Sequence, residues 1–253
     1  MRVISCLLIA PLLVLASCGE EPEPVTDPAE LDRLGRYGSE ETEEPAESTD
    51  GEEATPEADE VPTVEGDQRA PEVFTARLST DEGPIDIEVH RDWAPHGADR
   101  FYTLVREGFF EDVAFFRVMD GFMAQAGIHG DPAVNARWRN RTIPDDPPVE
   151  SNTRGMVSFA MAGPNSRTTQ FFISYGDNSN LDEMGFAPFG RVQDMSAVDS
   201  IHAGYGESAP RGQGPTQGRL QREGNAYLEA EFPELTYIRS ATIVEDDEAA
   251  PAE

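Results

Sequence analysis

The chain has 253 residues with 38% hydrophobic residues and a mean hydropathy of −0.50, too polar for a sequence folded from end to end. Its 49 acids face 19 bases, every one an arginine, and the net charge of −30 disfavours binding to nucleic acid phosphates. The two cysteines, Cys6 and Cys18, both fall in the first 18 residues, which excludes a disulfide framework for the rest of the chain.

Met1 and Arg2 precede an apolar run from Val3 to Val14, long enough for a signal-peptide core and too short for a membrane span. Leu15-Ala16-Ser17-Cys18 resembles the bacterial lipobox, which implies a signal over residues 1–18, cleavage before Cys18, and acylation (palmitate among the chains) at Cys18. Several acyl chains anchor firmly, since each buried methylene contributes about 0.8 kcal/mol. The competing reading is a secretory signal or uncleaved anchor with an incidental cysteine. Gly19, in place of an inner-membrane retention aspartate, leans towards the outer membrane, facing the periplasm. Residues 19–70 read as a disordered acidic tether: Glu20 to Asp67 hold 19 acids against Arg33 and Arg36, and prolines block helix and sheet. Leu31 to Tyr37 interrupts this run as a local irregularity, with a short helix or a docking motif as the alternatives. Residues 245–253 form a second acidic tail. The stretch 68–244, with 25 acids and 16 arginines, has an ordinary globular composition, and we place the folded domain at 71–244.

Val73 to Leu78 reads as a strand, Asp81-Glu82-Gly83-Pro84 as a turn, and Ile85 to Val89 alternates apolar and acidic residues as a half-buried strand does, giving a hairpin. Pro95 opens a helix whose face carries Ala98, Phe101, Leu104 and Val105, and Gly108 stops it. Short strands are expected at Ala114–Met119, Phe122–Ala126, Met156–Met161, Gln170–Tyr175 and Ala187–Val192. Asp194 caps a short helix through His202, a Gly- and Pro-rich loop spans Ala203–Gly218, and Tyr237–Val244 closes the domain as a strand. Many short strands with two helices fit a closed antiparallel barrel.

Three blocks resemble the cyclophilin family of peptidyl-prolyl cis-trans isomerases. The first is Gly83-Pro84-Ile85-Asp86-Ile87-Glu88-Val89 with the helix that follows. The second is Phe115-Phe116-Arg117-Val118 followed by Gly121-Phe122-Met123-Ala124-Gln125-Ala126-Gly127. The third is Ser158 to Ser166, then Thr169-Gln170-Phe171-Phe172-Ile173, Leu181-Asp182 and Phe189-Gly190. The resemblance covers roughly residues 73–244. It implies a mainly β fold, a closed eight-stranded antiparallel barrel capped by two α-helices, with an active groove on its outer face. It matches Arg117 to the catalytic arginine, and Phe122, Met123, Phe172 and Leu181 to the proline pocket. It matches Gln125 and Gln170 to polar groove residues, and Ala160, Met161 and Ala162 to the edge whose backbone pairs with substrate. Phe116 stands where a histidine is common, Asn180 where an aromatic often precedes Leu181, and Met161 where asparagine is common. Phe186 is given the place of the usual pocket histidine. The segments His129–Glu150 and Ala203–Arg222 look longer than in a minimal member.

The chemistry asks little of the protein beyond placement. Resonance holds the X-Pro bond planar behind a barrier of about 18–20 kcal/mol. No covalent bond breaks; an enzyme need only prefer the twisted state, whose proline nitrogen regains a lone pair that a fixed guanidinium can meet. Gln125 then orients Arg117. The cyclophilin resemblance implies proline-containing peptides as partners, and no cofactor or metal is expected; the lipobox adds extracytoplasmic proteins as they fold, met by a monomer anchored to the bacterial envelope. The rival readings are a proline-binding scaffold or holdase with little turnover and a structural envelope lipoprotein. His90, His96, His129 and His202 have no metal-ligand spacing, no Gly-x-Ser-x-Gly elbow appears, and Gly204-Tyr205-Gly206 and Gly212-Gln213-Gly214 read as turns.

Overall fold

The computed structural model describes residues 66–244; the signal region with Cys18, tether residues 19–65 and the tail 245–253 lie outside the described residues. Two eight-residue strands, β1 (Val73–Thr80) and β2 (Gly83–His90), form the expected hairpin, in register from Val73 opposite His90 to Thr80 opposite Gly83. The turn itself is only Asp81-Glu82, so Gly83 and Pro84 belong to the strand. Pro84 costs no ladder bond there, because the next strand pairs with β2 only at Ile87–Val89. The alternation Ile85, Ile87, Val89 is wholly buried, as its period requires.

Helix α1 (Pro95–Arg106) turns Ala98, Phe101, Leu104 and Val105 into the core. Phe101 sits among the rings of Phe189, Phe110 and Phe171, with centroids 4.9, 5.4 and 5.7 Å away. Arg100, 3% exposed, binds the Asp67 carboxylate through Nε (2.8 Å) and donates through Nη1 to the carbonyls of Arg141 (2.6 Å) and Thr168 (2.8 Å). The Ala70 N–H donates to Asp99 (2.8 Å), so residues 67–70, expected in the tether, are held against α1.

Seven further strands follow: β3 (Val113–Ala114), β4 (Arg117–Met119), β5 (Met123–Ala126), β6 (Met156–Phe159), β7 (Phe171–Ser174), β8 (Pro188–Val192) and β9 (Tyr237–Val244). They form one curled antiparallel sheet in the order β3-β9-β1-β2-β8-β6-β7-β5-β4. The expectation of a closed eight-stranded barrel is corrected to a nine-stranded curled sheet whose edge strands, β3 and β4, are successive pieces of one segment. The reason is a bulge. Phe116 N–H donates to Gln125 O (3.1 Å), and Arg117 also pairs with Gln125, so two residues face one. Phe115 and Val118 point into the main core, three positions apart where a regular strand would need an even step.

The expectation of two helices is also corrected. The long segments fold: α2 (Pro132–Trp138) lies in the first, and α4 (Gln217–Glu223) and α5 (Asn225–Glu231) in and after the second, while the expected 194–202 helix shrinks to α3 (Ser196–Asp199). Leu220, Tyr227 and Leu228 of α4 and α5 join Phe232, Leu235, Tyr237, Ala114, Ile128 and Phe116 in a second apolar cluster. Among the described residues no helix is long and apolar enough to cross a membrane.

Candidate active site

Residues directly opposite in neighbouring strands present their side chains to the same face. Arg117 is opposite Gln125, Gln125 opposite Phe172, and Phe172 opposite Ser158, so one row crosses β4, β5, β7 and β6. A second row on that face runs through Met119, Met123 and Ser174. The intervening residues Val118, Ala124, Ile173 and Val157 belong to the main core. The row bearing the arginine is therefore on the sheet's other, outer face, and period-2 alternation puts it there.

Met123, Phe172 and Leu181 form a buried apolar cluster, with Met119, Phe122, Ala160 and Phe186 packed around it, partly exposed. The rings of Phe172 and Phe186 meet edge to face at 5.8 Å. The Arg117 guanidinium lies at the polar end of the same surface. Its Nη1 donates to Gln125 Oε1 (3.0 Å), and Gln125 Nε2 donates to Gln170 Oε1 (2.9 Å). The expected grouping of Arg117, Gln125, Gln170 and the apolar pocket is thus a single patch.

Leu181 and Phe186 come from a loop far along the chain, and their placement rests in part on residues outside the motif blocks. Leu181 ends a short 3-10 helix, Ser179–Leu181. Asp182 accepts from Ser151 Oγ (2.5 Å), Asn152 N (2.9 Å) and Asn152 Nδ2 (2.7 Å). Asn152, fully buried, also donates to Phe186 O (2.8 Å) and accepts from Ser158 Oγ (2.7 Å). Burial pushes the Asp182 carboxyl up, but these donors outweigh it and hold it below its ordinary value. Asn178 closes the loop, donating to Phe122 O (2.9 Å). Asp182 and Ser158 fall in the third motif block, whereas Ser151, Asn152 and Asn178 carried no sequence signal.

The groove edge departs from expectation. Strand β6 ends at Phe159, so Ala160, Met161 and Ala162 continue as irregular chain. Ala160 N–H donates to Gln170 O (2.9 Å), and Ala162 N–H to Ser166 Oγ (2.8 Å), which ties up the Ala162 donor in a local turn. Met161 reaches the Gly185 turn instead: a Cβ on Gly185 would lie 3.4 Å from its Cε. At the end of β5, Gly127 is required by close approach, since a Cβ there would stand 2.3 Å from Thr169 O. Among the described residues, no group of three or more His, Cys, Asp or Glu side chains is placed to hold a metal ion.

Comparison with known proteins fits this geometry. The family described as cyclophilin type peptidyl-prolyl cis-trans isomerase/CLD matches residues 75–218. A human protein named peptidyl-prolyl cis-trans isomerase-like 3 is 37% identical over 135 residues, covering 51% of this chain and 81% of that protein. Its namesake from Rhizopus delemar is 36% identical over 130 residues, 48% of this chain and 76% of that one. A peptidyl-prolyl cis-trans isomerase-like 2 from Emericella nidulans is 33% identical over 124 residues, 47% of this chain, and the match spans only 21% of that longer protein. A crystal structure of a Cryptosporidium parvum cyclophilin type peptidyl-prolyl cis-trans isomerase aligns with a TM-score of 0.51 at 20% identity, over 69% of this chain and 99% of that one, a likeness of fold. With the fold, the outer-face arginine and the matched segment in agreement, the chain belongs to the cyclophilin-type peptidyl-prolyl cis-trans isomerase family.

Proposed function

We propose that the protein accelerates rotation about X-Pro peptide bonds in client proteins outside the cytoplasm, held to the bacterial envelope by acyl chains on Cys18. The observation that carries the catalytic part is the shared outer-face patch: a guanidinium fixed by Gln125 beside the Met123–Phe172–Leu181 cluster. The apolar side chains grip the proline ring while the bond turns. As the bond twists, the proline nitrogen becomes pyramidal, and a free Nη–H of Arg117 donates to it or holds the neighbouring carbonyl. This stabilisation grows only in the twisted state, so it lowers the barrier rather than tightening the ground state. Gln125 and Gln170 hold the guanidinium plane, and Asn152 and Asp182 hold the pocket wall. A structure of the Cryptosporidium protein in the presence of the dipeptide Ala-Pro (TM-score 0.50, 20% identity) makes an Ala-Pro peptide a sensible first ligand. The anchor and the envelope location rest on the Leu15-Ala16-Ser17-Cys18 sequence, and the extracytoplasmic clients follow from them.

The test is the cis-trans exchange rate of an Ala-Pro peptide with the full chain, followed by magnetisation exchange. Accelerated exchange supports the reading; binding without acceleration would replace it with a proline-binding scaffold. The pocket makes a separate prediction. Leu181→Ala should raise KM and lower kcat/KM by about ten- to hundredfold, because one apolar wall contributing roughly 1.5–3 kcal/mol is lost. An unchanged KM would place the proline ring elsewhere.

A further inference from the structure

The long segment after α3 carries a carboxylate onto the site. Glu207 grips Arg117 in a fork: Nε donates to Oε1 at 2.6 Å and Nη2 to Oε2 at 2.7 Å. Both side chains are mostly withdrawn from water, at 16% and 18% exposure, so this is no solvated surface pair. The loop also holds Glu207 through its own backbone. Ser208 N–H donates to Oε1 (2.7 Å), and Glu207 O accepts from Gly214 N (2.8 Å). Gly212 lies flat against the same carbonyl, where a Cβ would stand 2.1 Å from Glu207 O. Burial pushes the carboxyl up, but Arg117, the Ser208 N–H and the Arg211 charge together outweigh this and hold it below its ordinary value, so it is ionised at neutral pH.

A guanidinium has five N–H donors. Glu207 takes the Nε edge, and Gln125 takes one donor of Nη1. One N–H on each Nη remains. The Glu207 fork and the Gln125 bond use three of the five donors and leave these two for a substrate.

We propose that Glu207 is a positioning residue for catalysis: from the inserted loop it locks the plane of Arg117 so that the two remaining N–H groups meet the twisting X-Pro bond. The proposal rests on the isomerase reading and adds to it the residue that preorganises the arginine. Fixing the donor before the substrate arrives removes a reorganisation that would otherwise be part of the barrier, and small misplacements are costly in such sites.

In the full chain, Glu207→Ala should lower kcat for an Ala-Pro peptide by about tenfold, with KM changed by less than about twofold, since the apolar pocket is untouched. Glu207→Gln, which retains one acceptor, should recover part of the loss. Gly212→Ala keeps the carboxylate but displaces it, and should resemble Glu207→Ala. A readout independent of turnover is the Arg117 Nε–H resonance in a 15N spectrum. It should be sharp and slowly exchanging in the wild type and broadened or lost in Glu207→Ala, with circular dichroism unchanged. A kcat equal to or above wild type in Glu207→Ala, or an Arg117 resonance indifferent to the substitution, would overturn the proposal. If the wild type shows no acceleration at all, the isomerase reading fails, and the spectrum still decides whether Glu207 holds the arginine.

Discussion

Arg117→Ala is expected to reduce kcat/KM for X-Pro exchange by about 10²–10³, the usual cost of deleting one preorganised donor aimed at a transition state. The loss should appear in kcat, because the ring-binding cluster of Met123, Phe172 and Leu181 survives. Arg117→Lys should recover little of it. A lysine ammonium is a point charge, and it cannot occupy the Glu207 fork, reach Gln125 and still present two donors at once. Deleting the guanidinium also leaves the mostly buried Glu207 carboxylate without its fork, so the thermal midpoint should fall measurably while the fold is kept. Exchange rates within twofold of wild type in the alanine variant would remove Arg117 from the mechanism.

Asp146→Ala should destabilise the domain by about 3–5 kcal/mol, because it strands a buried cation. Asp146 is 4% exposed and Arg167 1% exposed, and Oδ2 accepts from Arg167 Nη2 at 3.0 Å. The same carboxylate accepts the N–H groups of His96 (3.1 Å) and Gly97 (2.9 Å) in the first turn of α1. Ala94, at the cap position of that helix, offers no side-chain acceptor, so Asp146 caps it from 49 residues away. Without it, Arg167 keeps the Pro144 carbonyl and the more distant Asp145 (3.5 Å). Denaturant unfolding measures the difference, and the midpoint temperature should fall by roughly 10 °C. Asp146→Asn, which retains an acceptor for the helix but not the charge, should fall between the two. Wild-type stability in the alanine variant would mean that the first long segment does not hold α1.

The hairpin of β1 and β2 and the helix from Pro95 were legible because their signals are local. Ile85, Ile87 and Val89 alternate with period two, a proline opens the helix, and Ala98, Phe101, Leu104 and Val105 return every three or four residues. The patch of Arg117, Gln125, Phe122, Met123 and Phe172 was legible through its two motif blocks. Alternation puts Arg117, Met123, Gln125 and Phe172 on one face once register is known. The helices inside the long segments were not read. Helix α2 is seven residues long, and α4 and α5 are split by Gly224, too short for a periodic stripe to stand out from a Gly- and Pro-rich background.

Composition and motif spacing by themselves determined the family, the strand-rich class and the arginine with its apolar companions, since each of these is written in neighbouring residues. Tertiary structure alone decided the split at Phe115–Phe116, which depends on whose core each phenylalanine enters, and the partners of two arginines. Glu207 meets Arg117 across 90 positions, and Asp146 meets Arg167 across 21 and α1 across 49. A carboxylate in an acidic chain carries no local mark of its partner. Only closure of the chain, which brings the low-dielectric wall and the opposite charge together, singles out these two from the rest.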